Sequence, residues 1–461
     1  MKKIIVTVFV AALLLCLASC ALAATPANVV ETGTGVSLIP AASWAETYPD
    51  VYETYMATEK NSEVTDYVAD YPMIATVYEG MAFNTYYSSA RGHFYTVADV
   101  TETGRPHKLA NCFTCKTADF THMVNEQGVS AYTIAFEDAL ANINDSVGCY
   151  TCHANDPAQG NTVTHTYLVD AMGEDFSKLA AQTAVCAQCH VEYYFHDYPE
   201  TPEKDQYLTF PWKYGLTLED AEKYYDEMGY ADYIHALSKA PILKAQHPGY
   251  ETSLQGIHGQ RGVTCADCHM PYMAEGGVKF SDHHIQSPLA KMDRTCLVCH
   301  RESEETLRQN VYERQEKCLE VRGRLEDLLA KAHIEAKFAW DKGATEAEMK
   351  EALQLIRKSQ WRWDYSVASH GASFHAPQEM LRLMGDGIDY AGQARLKIAK
   401  VLAKHGFTGE VPMPDISTKA KAQAYIGLDM DGMRQKKSKF MNEIVPQWLS
   451  MAKESGKLLE Y

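Results

Sequence analysis

The sequence predicts a mainly α-helical protein, with short helices and loops through its middle and long helices after residue 301. Three observations carry this. Residues 25–110 are Tyr-rich and mixed, with no long periodic stretch. Residues 111–300 hold five Cys-x-x-Cys pairs, many Gly and Pro, and twelve of the eighteen histidines. After Arg301, apolar residues fall at three- and four-residue steps, the stripe of an amphipathic helix.

The long helices can be taken in order. Leu307, Val311, Cys318, Val321, Leu325, Leu328 and Ala332 make the first stripe, and Cys318 on it reads as a buried structural thiol. Thr345-x-x-Glu348 is a capping box opening a second helix with Leu353 and Ile356 inside. Pro377 suits the first turn of a third helix, which Gly406 would close. A fourth runs across 418–454, bent or broken near Pro446. These helices would pack a core, and the longest could build a dimer interface.

Bulk properties set outer limits. At 461 residues the chain can form one large domain or two modest ones. Hydrophobic residues are 46% and charged residues 22%, ordinary for a soluble globular protein. A net charge of −17 argues against nucleic-acid or anionic-membrane partners, which call for a dense positive face. A small anionic substrate stays compatible, because a local pocket can be positive inside an acidic protein. Lys2 and Lys3 precede an apolar run from Ile4 to Leu17, the length of a signal peptide and too short to span a membrane. Residues 1–23 would be removed by cleavage after Ala21-Leu22-Ala23. Alternatively, Leu17-Ala18-Ser19-Cys20 would act as a lipobox and leave Cys20 acylated as a lipid anchor. The mature chain, 24–461, reads as one domain with an N-terminal part (24–110), a cysteine-rich core (111–300) and the long helices (301–461).

The thirteen cysteines decide the chemistry. Cys16 and Cys20 belong to the leader, and ten of the other eleven are paired. Four pairs end in histidine: Cys149-Tyr-Thr-Cys152-His153, Cys186-Ala-Gln-Cys189-His190, Cys265-Ala-Asp-Cys268-His269 and Cys296-Leu-Val-Cys299-His300. This is the covalent haem c pattern: two sulfurs on one turn form thioethers, and the next residue points an imidazole at the iron. Zinc or disulfide readings leave unexplained a histidine after every second cysteine. The fifth pair, Cys112-Phe-Thr-Cys115-Lys116, keeps the thioether spacing but ends in lysine. An amine must lose its proton to coordinate, which iron and burial would enforce. Fourteen further histidines can saturate the four histidine-ended haems. The lysine-ligated haem is then the one left open, a catalytic centre fed by a relay.

With these residues in hand, the chain resembles the ammonia-forming pentahaem cytochrome c nitrite reductase family over essentially its whole mature length. The resemblance rests on the lysine-ended motif standing first, the four histidine-ended motifs after it, and several strings between. It implies five haem c groups, calcium, a periplasmic location, a homodimer built by the C-terminal helices, and the lysine-ligated haem as active site. Arg91-Gly92-His93 matches the string giving His93 as distal ligand of the Cys186 haem. Gly256-Ile257-His258 would serve the Cys296 haem, Ser281-Asp282-His283 the Cys149 haem, and Phe374-His375-Ala376-Pro377 the Cys265 haem. His284 and His370 stand beside two of these as alternatives. Glu102-Thr103-Gly104-Arg105 points to Arg105 as the active-site arginine, Val191-Glu192-Tyr193-Tyr194 to Tyr193, and Lys244-Ala245-Gln246-His247-Pro248 to His247. By the same match, Glu192 and Gln246 give calcium side-chain oxygens, while Tyr193 and Lys244 give backbone carbonyls. The chain departs from the family at Phe113, where Trp is common, and in a shorter linker from Arg105 to Cys112. That loop could instead aim His107 or Lys108 inward.

The resemblance implies a six-electron reduction of nitrite to ammonium. In it His247 gives protons, Arg105 holds the anion and Tyr193 donates a hydrogen bond or takes part in hydrogen transfer. The electron donor would be a membrane-bound multihaem quinol dehydrogenase or a small cytochrome. Two other readings stay open: a pure electron carrier, against which Lys116 speaks, and a reductase acting mainly on hydroxylamine or sulfite.

Overall fold

The structure, a computed structural model, describes residues 25–103, 105, 108–196, 205–447 and 450. The leader with Cys16 and Cys20, and His107, lie outside the described residues.

Up to residue 300 no described helix exceeds the eleven residues of Leu218–Met228. The elements that matter here are α1 (Met73–Val77), α2 (Thr96–Glu102), α3 (Cys149–His153), α4 (Ala181–Ala187), α5 (Leu218–Met228), α6 (Cys265–His269) and α7 (Cys296–Cys299). Pleated structure among the described residues amounts to four two-stranded ladders. One pairs Tyr194–His196 antiparallel with Tyr207–Thr209, just after the third motif.

Beyond residue 300 the texture changes as the apolar stripe requires. Helix α8 (Glu304–Asp341) runs 38 residues from a Ser303 cap, with Cys318 and Leu325 buried along its inner side. Helix α9 (Glu346–Ala368) opens on the Thr345/Glu348 capping box, each side chain bonding the other's backbone N–H. After the short α10 (Ala372–His375), helix α11 (Pro377–Lys404) has Pro377 in its first turn, where the missing N–H costs nothing.

The expected fourth helix is corrected by the structure. Within the described residues it is two helices, α12 (Lys419–Tyr425) and α13 (Met430–Lys439), the second running on to residue 447, while 448, 449 and 451–454 lie outside the described residues. The break is at Gly427, whose φ of +77° ends α12 in a left-handed turn, and Asp429 then caps α13. Pro446 does not break the chain. A wide turn at Phe440–Ile444 precedes it and makes room for the ring against the carbonyl four residues back.

Two apolar cores result. One joins α8, α9 and α11 to α1 through Leu325, Leu329, Trp361, Trp363, Leu383 and Ile74. Each such fully buried side chain contributes about 1.5–3 kcal/mol. The other lies among the motifs and includes Phe113, Phe120, Tyr132, Phe136 and Leu168. There Phe113 is fully buried and stacks on Phe136 at 4.4 Å, so the departure at this position is accommodated by packing. Buried ion pairs tie α9 to α5 and to the loop carrying His247: Arg362 with Glu222 at 3.0 Å, and Asp364 with Lys244 at 2.9 Å. No described helix is long and apolar enough to cross a membrane.

Candidate active site and haem centres

Three of the motifs sit on helices of one turn or so. In α3, α6 and α7 the two cysteines are three residues apart on one face, and α6 is fixed by a Thr264/Asp267 capping box.

The five motifs form one series of neighbours. Cys115 lies near Cys189, and Cys186 near Cys265. Cys152 lies near both Cys186 and Cys189, and Cys268 neighbours Cys296 and Cys299. The lysine-ended motif therefore adjoins the Cys186 motif, which leads on to the Cys265 and Cys296 motifs. The Cys149 motif joins at the same third position.

Opposite each motif histidine stands another imidazole. His93 faces His190 with ring centroids 6.5 Å apart, His283 faces His153 at 6.3 Å, His375 faces His269 at 6.2 Å, and His258 faces His300 at 6.1 Å. Those separations are too wide for contact. They suit a metal held from both sides, since nitrogens at roughly 2 Å on either side put ring centroids about 6 Å apart. The outer ring nitrogens fit as well. Nδ1 of His153, His269 and His283 each meets a backbone carbonyl, at 3.0, 2.9 and 2.8 Å, which leaves Nε2 pointing into the gap. The residues present thus fit haem. Of the two alternatives, His284 turns Nδ1 toward Gln286, and the His370 ring stands 5.9 Å from that of His247, centroid to centroid.

The lysine-ended site differs. Thr96 on α2 donates to the Lys116 carbonyl at 2.5 Å, and the Lys116 charge, after burial, depresses the basicity of His247. Arg105 and Tyr193 neighbour Cys112, and they neighbour each other. The Arg105 Nε donates to Thr103 at 3.2 Å, and its guanidinium lies 4.3 Å over the Phe83 ring. Lys108 is exposed. The structure thus brings Lys116, Arg105, Tyr193 and His247 into one cluster. His247 hangs there from a backbone bond to the Val191 carbonyl at 3.2 Å.

Behind the cluster lies a patch of buried acids. Glu192 accepts from the Gln246 backbone N–H at 2.7 Å and from the Tyr225 hydroxyl at 3.1 Å. The Lys244 backbone N–H donates to Asp232 at 2.7 Å, and Glu251 accepts from the Glu192 N–H and the Trp212 indole, both at 2.9 Å. Burial pushes Glu192 well up, Glu251 to about 7 and Asp232 to about 6. Lys244 is the nearby cation, and its ammonium is already given to Asp364. A patch with this surplus of buried negative charge fits a bound cation. No three His, Cys, Asp or Glu side chains converge on a metal position among the described residues. One carboxylate with amide and backbone carbonyl oxygens, from Glu192, Gln246, Tyr193 and Lys244, is the hard-oxygen set of calcium. Sequence reasoning missed Phe83, Asp232 and Glu251, because none lies in a motif or on a periodic stripe.

Fold and site together define a multihaem c-type cytochrome: five motifs in one neighbouring series, four of them with a facing imidazole among the described residues. The chain belongs to the cytochrome c552 family, whose pattern matches residues 40–457. It is 54% identical over 436 residues to cytochrome c-552 of Bacteroides thetaiotaomicron, covering 90% of this chain and 86% of that one. It is 41% identical over 435 residues to cytochrome c-552 of Desulfotalea psychrophila, covering 90% and 85%. Its fold is similar to a cytochrome c nitrite reductase from Desulfovibrio desulfuricans, described for two calcium sites in its catalytic subunit. That match has a TM-score of 0.72 at 28% identity and covers 87% of this chain and 91% of that one.

Proposed function

We propose that this chain is a periplasmic nitrite reductase that carries five haem c groups and forms ammonium at the Lys116 site, with 24–461 acting as one catalytic unit. The observation that carries the reading is the asymmetry among the motifs. Four histidines face a second imidazole across 6.1–6.5 Å. Lys116 is accompanied instead by Arg105, Tyr193 and His247, the set an anionic substrate taking up protons needs. Lys116 favours an enzyme over a bare carrier, because a carrier has no use for an unsaturated haem.

When bound, the haem at Cys112 and Cys115 supplies the open iron, and the other four supply an electron relay. Arg105 holds the anion by charge and paired N–H donors, and it cannot give up its proton. His247, buried and depressed well below an ordinary histidine, is neutral when idle and passes on any proton it takes. Tyr193 donates a hydrogen bond. Calcium on Glu192, Gln246 and the carbonyls of Tyr193 and Lys244 would lock the Tyr193 segment to the His247 loop and neutralise the acids behind them.

A homodimer through α8 is supported by Tyr312 and Leu319, one heptad apart on that helix and 41% and 47% exposed. The electron donor would be a membrane-bound multihaem quinol dehydrogenase or a small cytochrome. The test is anaerobic assay of the purified protein with reduced viologen. One ammonium should form for each nitrite consumed. Nitrite loss without ammonium, or none at all, overturns the reading.

A further inference from the structure

Phe83 belongs to no motif, yet it touches both halves of the candidate active site. The Arg105 guanidinium sits 4.3 Å over its ring. The ammonium of Lys244, whose carbonyl belongs to the proposed calcium set, lies 5.0 Å from the same ring. The ring is itself wedged edge-on against Tyr87 at 4.7 Å and tilted on Tyr78 at 5.5 Å. Tyr78 is fully buried and donates to Asp364 at 2.7 Å, the acid that pairs Lys244. The backbone just after Phe83 is pinned from outside. Gln423 on α12, itself buried, donates to the carbonyls of Asn84 and Thr85 at 3.2 and 3.1 Å. In the last turn of α2, the Thr101 carbonyl accepts from the Lys437 ammonium on α13 at 2.6 Å, just before the segment that carries Arg105.

The Arg105 Nε donates to the Thr103 hydroxyl, and no carboxylate pairs the guanidinium among the described residues. An arginine meant to hold an anion is best left without a carboxylate, which would compete for its N–H donors. It still has to be oriented. An aromatic face does this, because it attracts the guanidinium through the ring quadrupole and leaves all edge N–H groups free.

We infer that Phe83 is a positioning residue: its ring is the shelf that aims Arg105 at the substrate anion and couples that aim to the Lys244 loop. The inference rests on the proposed role of Arg105 in nitrite binding. Losing the shelf lets Arg105 sample other orientations, so that binding the anion has to freeze it. The cost falls on KM more than on kcat.

The test compares Phe83→Leu with Phe83→Trp, alone and in an Arg105→Ala background, each first checked for five haems. Two quantities are read: steady-state nitrite kinetics, and hydrogen–deuterium exchange of peptides covering 101–112. Phe83→Leu should raise KM for nitrite about tenfold, equivalent to about 1.4 kcal/mol, with kcat within threefold, and should speed exchange in 101–112. Phe83→Trp, which keeps a π face, should restore both. In the Arg105→Ala background Phe83→Leu should add nothing to KM. The inference is overturned if Phe83→Leu has the same effect with and without Arg105, or if KM and exchange both stay at wild-type values. If Arg105→Ala leaves nitrite KM unchanged, the arginine's proposed role fails instead, and the exchange rates still decide whether Phe83 orders the segment. Should Phe83→Leu not accumulate with five haems, Phe83→Met offers the same comparison.

Discussion

The rings of His269 and His375 stand 6.2 Å apart, centroid to centroid, and Gly371 makes the arrangement possible. A Cβ at Gly371 would come within 2.5 Å of the His375 ring. Gly371→Ala must therefore push that ring out of line, while the cysteines and His269 are untouched. All five haems should remain covalently attached. One should change from low-spin to high-spin in the electron paramagnetic resonance spectrum. A spectrum identical to wild type would remove His375 from the proposed ligand set.

Calcium should act without being redox active. Chelation, or Glu192→Ala, should lower nitrite turnover at least about tenfold, the scale on which misplacing acids and oxyanion donors acts, and leave the haem count at five. Elemental analysis should find calcium in the untreated protein. Full activity after both treatments, with no calcium found, would discard the Glu192–Gln246 site.

Arg105→Ala and His247→Asn should each reduce turnover at least about tenfold, and the arginine change should also weaken nitrite binding. Lys108→Ala should be silent, because Lys108 is exposed. A silent Arg105→Ala beside a damaging Lys108→Ala would reassign the role.

Far from the haem gaps, His235 and His333 stack at 3.6 Å with neither exposed. His235 bonds the Thr76 carbonyl and the Ser238 N–H, and His333 bonds Ser238 and Gln360. Burial lowers His235 to about 3 and His333 well below its ordinary value. Both are neutral in the native state, while the unfolded chain takes up protons below about pH 6.5. Stability is therefore present above that pH and is lost as pH falls toward the folded-state values, at about 1.4 kcal/mol per pH unit for each histidine. His235→Phe should flatten this dependence, leaving it smaller by about 2 kcal/mol between pH 6.5 and 5. Urea unfolding midpoints at the two pH values measure it, and parallel losses in both proteins would contradict it.

What could be read from the sequence follows the range of each interaction. The haem cysteines, their histidines and Lys116 lie within one turn, and so does the Thr345/Glu348 cap, so spacing alone reveals them. The stripe from Leu307 to Ala332 shows because a helix repeats its burial every few residues. Partners such as His93 and His190, or His153 and His283, are far apart in the chain, and nothing local marks them. They were reached only through resemblance. The break at Gly427 was missed because Pro446 is the stronger helix breaker in isolation, and the wide turn before it absorbs its effect. Phe83 and the His235–His333 stack depend wholly on tertiary contacts and had no signal.

The central claim is that Lys116 marks the working haem, and nitrite turnover by Lys116→His tests it most directly. Imidazole restores the ordinary motif, so five haems should still attach, and no added histidine reaches the opposite side. The account predicts an intact five-haem protein that still binds cyanide at one haem but reduces nitrite at a small fraction of the wild-type rate. Unchanged turnover would contradict it, and the active haem would then have to be one of the four with a histidine.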